Sequence, residues 1–120
     1  MRGVSVVAVL ACILNALRNG QRPFTYEFHK RVVQAQGLYA FWLGGKCLYV
    51  GKSINISQRI YQHRMQEHST TLERYFKAYP SDIQVSYCSL TNHTGEDVLA
   101  LEKATIQSLR PAVNITHNLS

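Results

Sequence analysis

Along the chain the apolar positions change period from segment to segment. Val4–Leu17 (VSVVAVLACILNAL) is apolar at nearly every step and predicts a helix ending near Asn19-Gly20, where glycine suits a C-terminal stop. Gln21-Arg22-Pro23 then breaks the chain, and residues 24–36 fit a strand or a helix equally. Gly37–Leu43 (GLYAFWL) and Cys47–Val50 (CLYV) are short β-favouring runs around Gly44-Gly45-Lys46, which reads as a β-hairpin. Ser53–His68 predicts a helix that Ser53 or Asn55 can cap. Leu72–Tyr79 predicts a shorter helix stopped by Pro80. Asp82–Leu90 alternates, with Ile83, Val85 and Tyr87 on one face and Gln84, Ser86 and Cys88 on the other, as a half-buried strand does. Thr94, with Asp97 three residues on, opens a last helix running to about Arg110, before Pro111.

The order from residue 37 is therefore β-β-α-α-β-α. It predicts a mixed α+β (α/β) domain: a small, mainly antiparallel three-stranded sheet from residues 38–43, 47–50 and 82–89, flanked by helices. Residues 1–36 form an N-terminal extension, an apolar helix plus connector, and residues 37–118 the domain. There is no internal repeat and no low-complexity tract.

At 120 residues the chain has room for one domain. Its hydrophobic content of 46% against 17% charged residues predicts a packed core and not disorder. Thirteen Lys and Arg against seven Asp and Glu leave a formal charge of +6, which suits a polyanionic partner. Cys12, Cys47 and Cys88 are odd in number, widely spaced and without a CxxC pair, so neither a zinc site nor a disulfide framework is expected. They read as reduced, mostly buried thiols in the cytoplasm. The apolar Val4–Leu17 run is too short to span a bilayer easily. With Arg2 before it the run resembles a signal peptide, and sequons at Asn55, Asn92 and Asn114 would fit secretion. The cleavage grammar is poor, with Leu14 or Arg18 at the −3 position. The segment is expected to be retained and packed on the domain or on a second copy.

Three features carry candidate chemistry. On the last helix Val98, Leu99, Ile106 and Leu109 form an apolar stripe with Glu102 near its middle. An inward carboxylate is costly unless paired, protonated or metal-bound, although an edge position beside an arginine is the commoner fate. On the helix after the hairpin, Arg59 and His63 are four apart and flank Ile56 and Ile60, either facing the body of the domain or forming a solvated basic face. Lys52, Arg59, Arg64, Arg74 and Lys77 face only Glu67 and Glu73, a basic excess able to neutralise phosphates. In the hairpin, Tyr39 and Tyr49 are ten apart. A two-residue Gly44-Gly45 turn pairs Leu43 with Lys46 and puts the tyrosines on opposite faces; a three-residue loop shifts the pairing by one and puts them on the same face.

Gly37-Leu38-Tyr39, then Tyr49-Val50-Gly51 with Lys52 next, then Arg59, His63, Glu102 and Asn114, resembles the GIY-YIG nuclease family. The likeness covers residues 37 to about 115, roughly two-thirds of the chain, with Leu38 and Val50 in place of the isoleucines of the family name. It implies hydrolysis of a DNA phosphodiester with one divalent ion, Mg²⁺ or Mn²⁺, held by Glu102. Tyr39 would activate the attacking water, helped by Lys52 or His63, because a free phenol is a poor base at neutral pH. Arg59 would stabilise charge on the phosphate, Tyr49 would orient phosphate or water, Asn114 would position the site or backbone, and Gly51 would allow close approach. Lys52, Arg59, Arg64, Arg74 and Lys77 would bind the nucleic acid. No small-molecule cofactor and no membrane are called for. A homodimer or a separate specificity partner stays open, because no recognition module has room here. The alternatives are a catalytically inactive basic nucleic-acid-binding module and, on Val4–Leu17 alone, a secreted or membrane-surface protein.

Overall fold

The computed structural model describes residues 6–25, 34–65 and 71–114. The elements run α1 (Val6–Asn19), β1 (Arg22–Pro23), β2 (Gly37–Leu43), β3 (Lys46–Ser53), α2 (Ile56–Met65), α3 (Thr71–Ala78), β4 (Ile83–Ser89) and α4 (Gly95–Leu109). The sheet has four strands and not the expected three, in the order β1-β4-β2-β3, all pairs antiparallel. The extra strand is the two-residue β1, where Arg22 and Pro23 pair with Val85 and Gln84. Proline is tolerated there because β1 is an edge.

Helices cover both faces of the sheet. On one, Tyr39, Phe41, Leu48, Ile83 and Val85 pack with Ile56 and Ile60 of α2, Leu72 of α3, and Phe24. On the other, Leu38, Ala40, Trp42, Cys47 and Val50 pack with Ile13 and Leu17 of α1 and Val98 and Leu101 of α4. The predicted half-buried β4 is therefore covered on both sides. Ser86, expected at a polar surface, is fully buried and accepts a hydrogen bond from Trp42 Nε1 at 2.8 Å. The apolar α1 explains this, since its inner edge roofs the face that alternation marks as polar. No helix among the described residues is long and apolar enough to cross a membrane.

Local signals place the helix ends. Asn55 caps α2, its Oδ1 accepting from Gln58 N–H at 3.1 Å, while Ser53 Oγ braces the preceding turn. The expected helix end at 66–68 lies outside the described residues. Thr94 caps α4 by accepting from Asp97 N–H, and Arg110, in the left-handed region at φ 47°, closes it before Pro111. Of the three free cysteines only Cys47 is buried; Cys12 on α1 is exposed and Cys88 is half-buried, so the expectation of mostly buried thiols holds for one of them.

Leu17 is completely buried between α1 and the sheet, whereas Val7 is 76% exposed. Leu17→Ala should cost about 2–5 kcal/mol in urea unfolding. Val7→Ala should stay within roughly 0.5 kcal/mol. Equal effects would mean that α1 does not dock on the sheet.

Candidate active site

The hairpin settles the face of the tyrosines in a way neither expected loop describes. Leu43 does pair with Lys46 across a two-residue turn, with Gly44 at φ 58° and Gly45 at φ 79°. Both angles are easy for glycine and strained for other residues. Beyond Trp42↔Cys47 the register slips by one, so Phe41 pairs with Tyr49 and Leu48 is the extra residue of a β-bulge. Leu48 and Tyr49 both join the α2/α3 side, with Cys47 and Val50 on the other. Tyr49 thereby lies diagonally beside Tyr39, with ring centroids 6.2 Å apart. Gly51 sits opposite Tyr39 in the register, and a Cβ there would run into the Tyr39 Cζ and Oη atoms.

Helix α2 brings its side chains onto this pair. Tyr39 Oη lies 2.9 Å from His63 Nε2, and His63 is buried against the rings of Tyr39, Phe41, Tyr49 and Phe76. Arg59, one turn earlier, hydrogen-bonds the Tyr39 hydroxyl, and its guanidinium also reaches Gln62 Oε1 at 3.2 Å. Burial pushes the Tyr39 phenol well above its ordinary range, with Tyr49 adding to the rise and Arg59 opposing it. Tyr49 is raised as well, first by burial and then by the Glu102 charge, against Arg59.

Glu102 reaches the same edge of the sheet from α4. It is half-buried at the rim of the stripe and not at its middle: Val98, Leu101 and Thr105 face inward, and Leu99 is 40% exposed. The Glu102 carboxylate accepts a hydrogen bond from the Lys52 backbone N–H, and burial raises its pKa against the pull of Lys52 and Lys103. Asn114 Oδ1 accepts from Val50 N–H at 2.6 Å and its Nδ2 donates to Val50 C=O at 3.0 Å. It therefore holds the open edge of β3.

Tyr39, Tyr49, Arg59 and His63 are thus brought together, with Lys52, Glu102 and Asn114 along the edge strand. Of the two helpers expected for Tyr39, His63 is in place, while Lys52 accompanies Glu102. Arg64 is directed elsewhere, its guanidinium 5.7 Å from the Phe24 ring centroid. Arg74 and Lys77 are exposed on α3. Sequence reasoning missed Glu73, counted there among the acids facing solvent. It is 5% exposed, with Oε1 3.5 Å from His63 Nδ1. The signal was present: Glu73 adjoins Leu72 and lies one turn from Phe76, on the apolar side of α3.

Residues 35–115 match the UvrC-like GIY-YIG domain. The chain is 30% identical over 112 residues to UvrABC system protein C of Ruegeria pomeroyi, a match covering 92% of this chain and 15% of that protein. The chain thus corresponds to a small part of the relative it matches. Among solved structures, the GIY-YIG N-terminal endonuclease domain of UvrC from Thermotoga maritima, bound to magnesium as its catalytic divalent cation, superposes with a TM-score of 0.58. It is 18% identical, over 72% of this chain and 91% of that one. A point mutant of the same domain bound to its catalytic divalent cation gives the same TM-score at 17% identity. The matched family and the shared fold make residues 35–115 a GIY-YIG domain. The chain belongs to the UvrC-like GIY-YIG family.

Two outcomes follow from this geometry. Gly51→Ala should displace Tyr39 and lower stability by roughly 1–3 kcal/mol, read by urea unfolding; a neutral result would mean Tyr39 does not lie across β3. Burial raises the Glu73 pKa from 4.5 to about 7, opposed by Arg59 and Lys77. Between those values the folded chain holds a proton that the unfolded chain has lost, so stability should fall as pH rises through this window. Urea midpoints measured across it should flatten in Glu73→Gln, with the same-signed slope of Glu102 remaining.

Proposed function

We propose that this chain is a metal-dependent endonuclease hydrolysing DNA phosphodiester bonds. The observation that carries it is the convergence of Tyr39, Tyr49, Arg59 and His63 on one face of the hairpin, with Glu102 at the adjoining edge. A phenol held against a guanidinium and an imidazole is a poor structural choice for a core and a useful one for moving a proton beside a phosphate.

The donor set fits a hard divalent cation of the Mg²⁺ or Mn²⁺ type. Among the described residues there is no group of three or more His, Cys, Asp or Glu able to hold a metal. A lone half-buried carboxylate suits an ion that keeps most of its waters and takes phosphate oxygens as further ligands. Glu102 is raised by burial and so gains from a nearby cation. When bound there, such an ion supplies Lewis-acid polarisation of the phosphate and charge neutralisation at the leaving oxygen.

The chain's own groups do the rest. Tyr39 gives up its hydroxyl proton to a neighbouring base, and its oxygen then accepts a proton from water as that water's oxygen bonds to phosphorus. The bond from phosphorus to the leaving sugar oxygen breaks, and that oxygen takes up a proton from solvent. Arg59 stabilises the charge gathering on the phosphate. Tyr49 orients phosphate or water, Lys52 adds positive charge beside Glu102, and Asn114 keeps β3 straight against the incoming strand. Lys52, Arg59, Arg64, Arg74 and Lys77 give the net positive surface that phosphates require.

Single-turnover cleavage at saturating protein, beside equilibrium binding in Ca²⁺, tests this. Glu102→Gln should lower cleavage by orders of magnitude while DNA affinity holds or rises, since a repulsive charge is gone. Arg59→Ala should lower cleavage roughly 10²–10³-fold. Arg74→Ala should weaken binding slightly, lower the salt slope by about 0.9, and leave the chemical step alone. A Glu102→Gln chain that cuts at the wild-type rate would refute the metal assignment. A wild-type chain that binds DNA and never cuts it, in Mg²⁺ or Mn²⁺, would make it a binding module.

A further inference from the structure

Behind the hairpin tyrosine lies a second polar contact that the nuclease chemistry above does not use. His63 has its two ring nitrogens in different settings. Nε2 hydrogen-bonds the Tyr39 hydroxyl at 2.9 Å, and Nδ1 faces Glu73 Oε1 at 3.5 Å, an ion-pair separation longer than a hydrogen bond. The side chains of His63 and Glu73 are 8% and 6% exposed. The imidazole is walled by Phe41 and Phe76 at centroid distances of 5.2 and 6.4 Å. A carboxylate, an imidazole and a hydroxyl in this order form the arrangement that lets a weakly acidic oxygen give up its proton in hydrolases. Here the hydroxyl is a phenol.

We propose that Glu73 is a positioning residue: it keeps the His63 proton on Nδ1, so that Nε2 takes the proton of Tyr39 through a buried Tyr39–His63–Glu73 relay. The inference rests on the nuclease reading and adds to it the group that makes Tyr39 a base. In the step, the Tyr39 Oη–H bond breaks, the proton passes to His63 Nε2, and the electron pair stays on the phenolate oxygen. Arg59, whose guanidinium opposes the burial of the Tyr39 phenol, holds that charge. The phenolate then takes the proton of the attacking water, and His63 returns its extra proton to solvent after cleavage. The ionised Glu73 stabilises the imidazolium between those events. The need for a relay is physical, since burial drives Tyr39 away from ionising unaided.

The charged and titratable groups around Glu73, among the described residues, are His63 and Arg59 from α2 and Lys77 on α3. Burial holds Glu73 near 7, so the relay is complete only above that pH. Cleavage should therefore rise with pH through a limb centred there.

The test uses the full chain and Glu73→Gln, which keeps shape and removes charge, with Glu73→Asp as the conservative variant. Glu73→Gln should cut about 10- to 10²-fold more slowly, lose the limb near pH 7 and bind DNA unchanged, while unfolding at equal or higher urea. Glu73→Asp should recover part of the rate. A purely structural role would move unfolding and not the pH profile. Glu73→Gln cutting within twofold of wild type from pH 6 to 9 would overturn the relay. The ring ¹⁵N shifts of His63, assigned with His63→Gln, read the same proposal without cleavage. A proton on Nδ1 with Nε2 as acceptor supports it even if the chain cuts no DNA, and a proton on Nε2 overturns it even if the chain cuts well.

Discussion

One slipped residue in the pairing of β2 with β3 is the constraint on which the site hangs. Side chains alternate along a strand, so a hairpin closed at Leu43↔Lys46 without a bulge would send Tyr49 to the α1/α4 side, away from Tyr39. Leu48 absorbs the slip by entering the α2/α3 core beside Tyr49. Its burial, at 3% exposure, stabilises the bulge that a bare ladder would avoid. The two-glycine turn and the bulge act together: the first closes the hairpin tightly, and the second re-aims everything beyond it.

The site also depends on β3 being the outer strand. Among the described residues its outward backbone groups have no neighbouring strand, and side chains take that place. Asn114 pairs with both polar groups of Val50, and Glu102 accepts from the Lys52 N–H. A carboxylate from α4 on one side and the tyrosines, arginine and histidine from the other can then meet at one edge, open to a strand of phosphates. The edge is also protected from pairing with other sheets by these side chains and by Lys52.

Electrostatically the site works by burial. Tyr39, Tyr49, Glu73 and Glu102 are all pushed towards their neutral forms first by loss of water. Arg59 opposes that shift at three of them. One guanidinium thus links groups on β2, β3 and α3, which is why a single arginine on α2 carries so much of the proposed chemistry.

Most of the elements were legible along the chain, because their signals are local: Asn55 and Thr94 as caps, Pro80 and Pro111 as stops, and the Gly44-Gly45 turn. The cluster of Tyr39, Tyr49, Arg59, His63, Glu102 and Asn114 could be assembled along the chain only through the resemblance to the GIY-YIG family, each residue signal being weak alone. What only the tertiary structure decided is long-range. The short β1 exists because β4 offers it an edge, and Ser86 is buried because α1 lies over it. Glu102 stands at the rim of its stripe because α4 turns Val98, Leu101 and Thr105 to the sheet. The tyrosines share a face because a buried leucine makes room for a bulge. Glu73 has the composition of a surface acid and is buried because α3 folds back over His63. Periodicity reports which side of an element is apolar, but the partner that covers it comes from chain packing at a distance, and that partner sets the protonation chemistry.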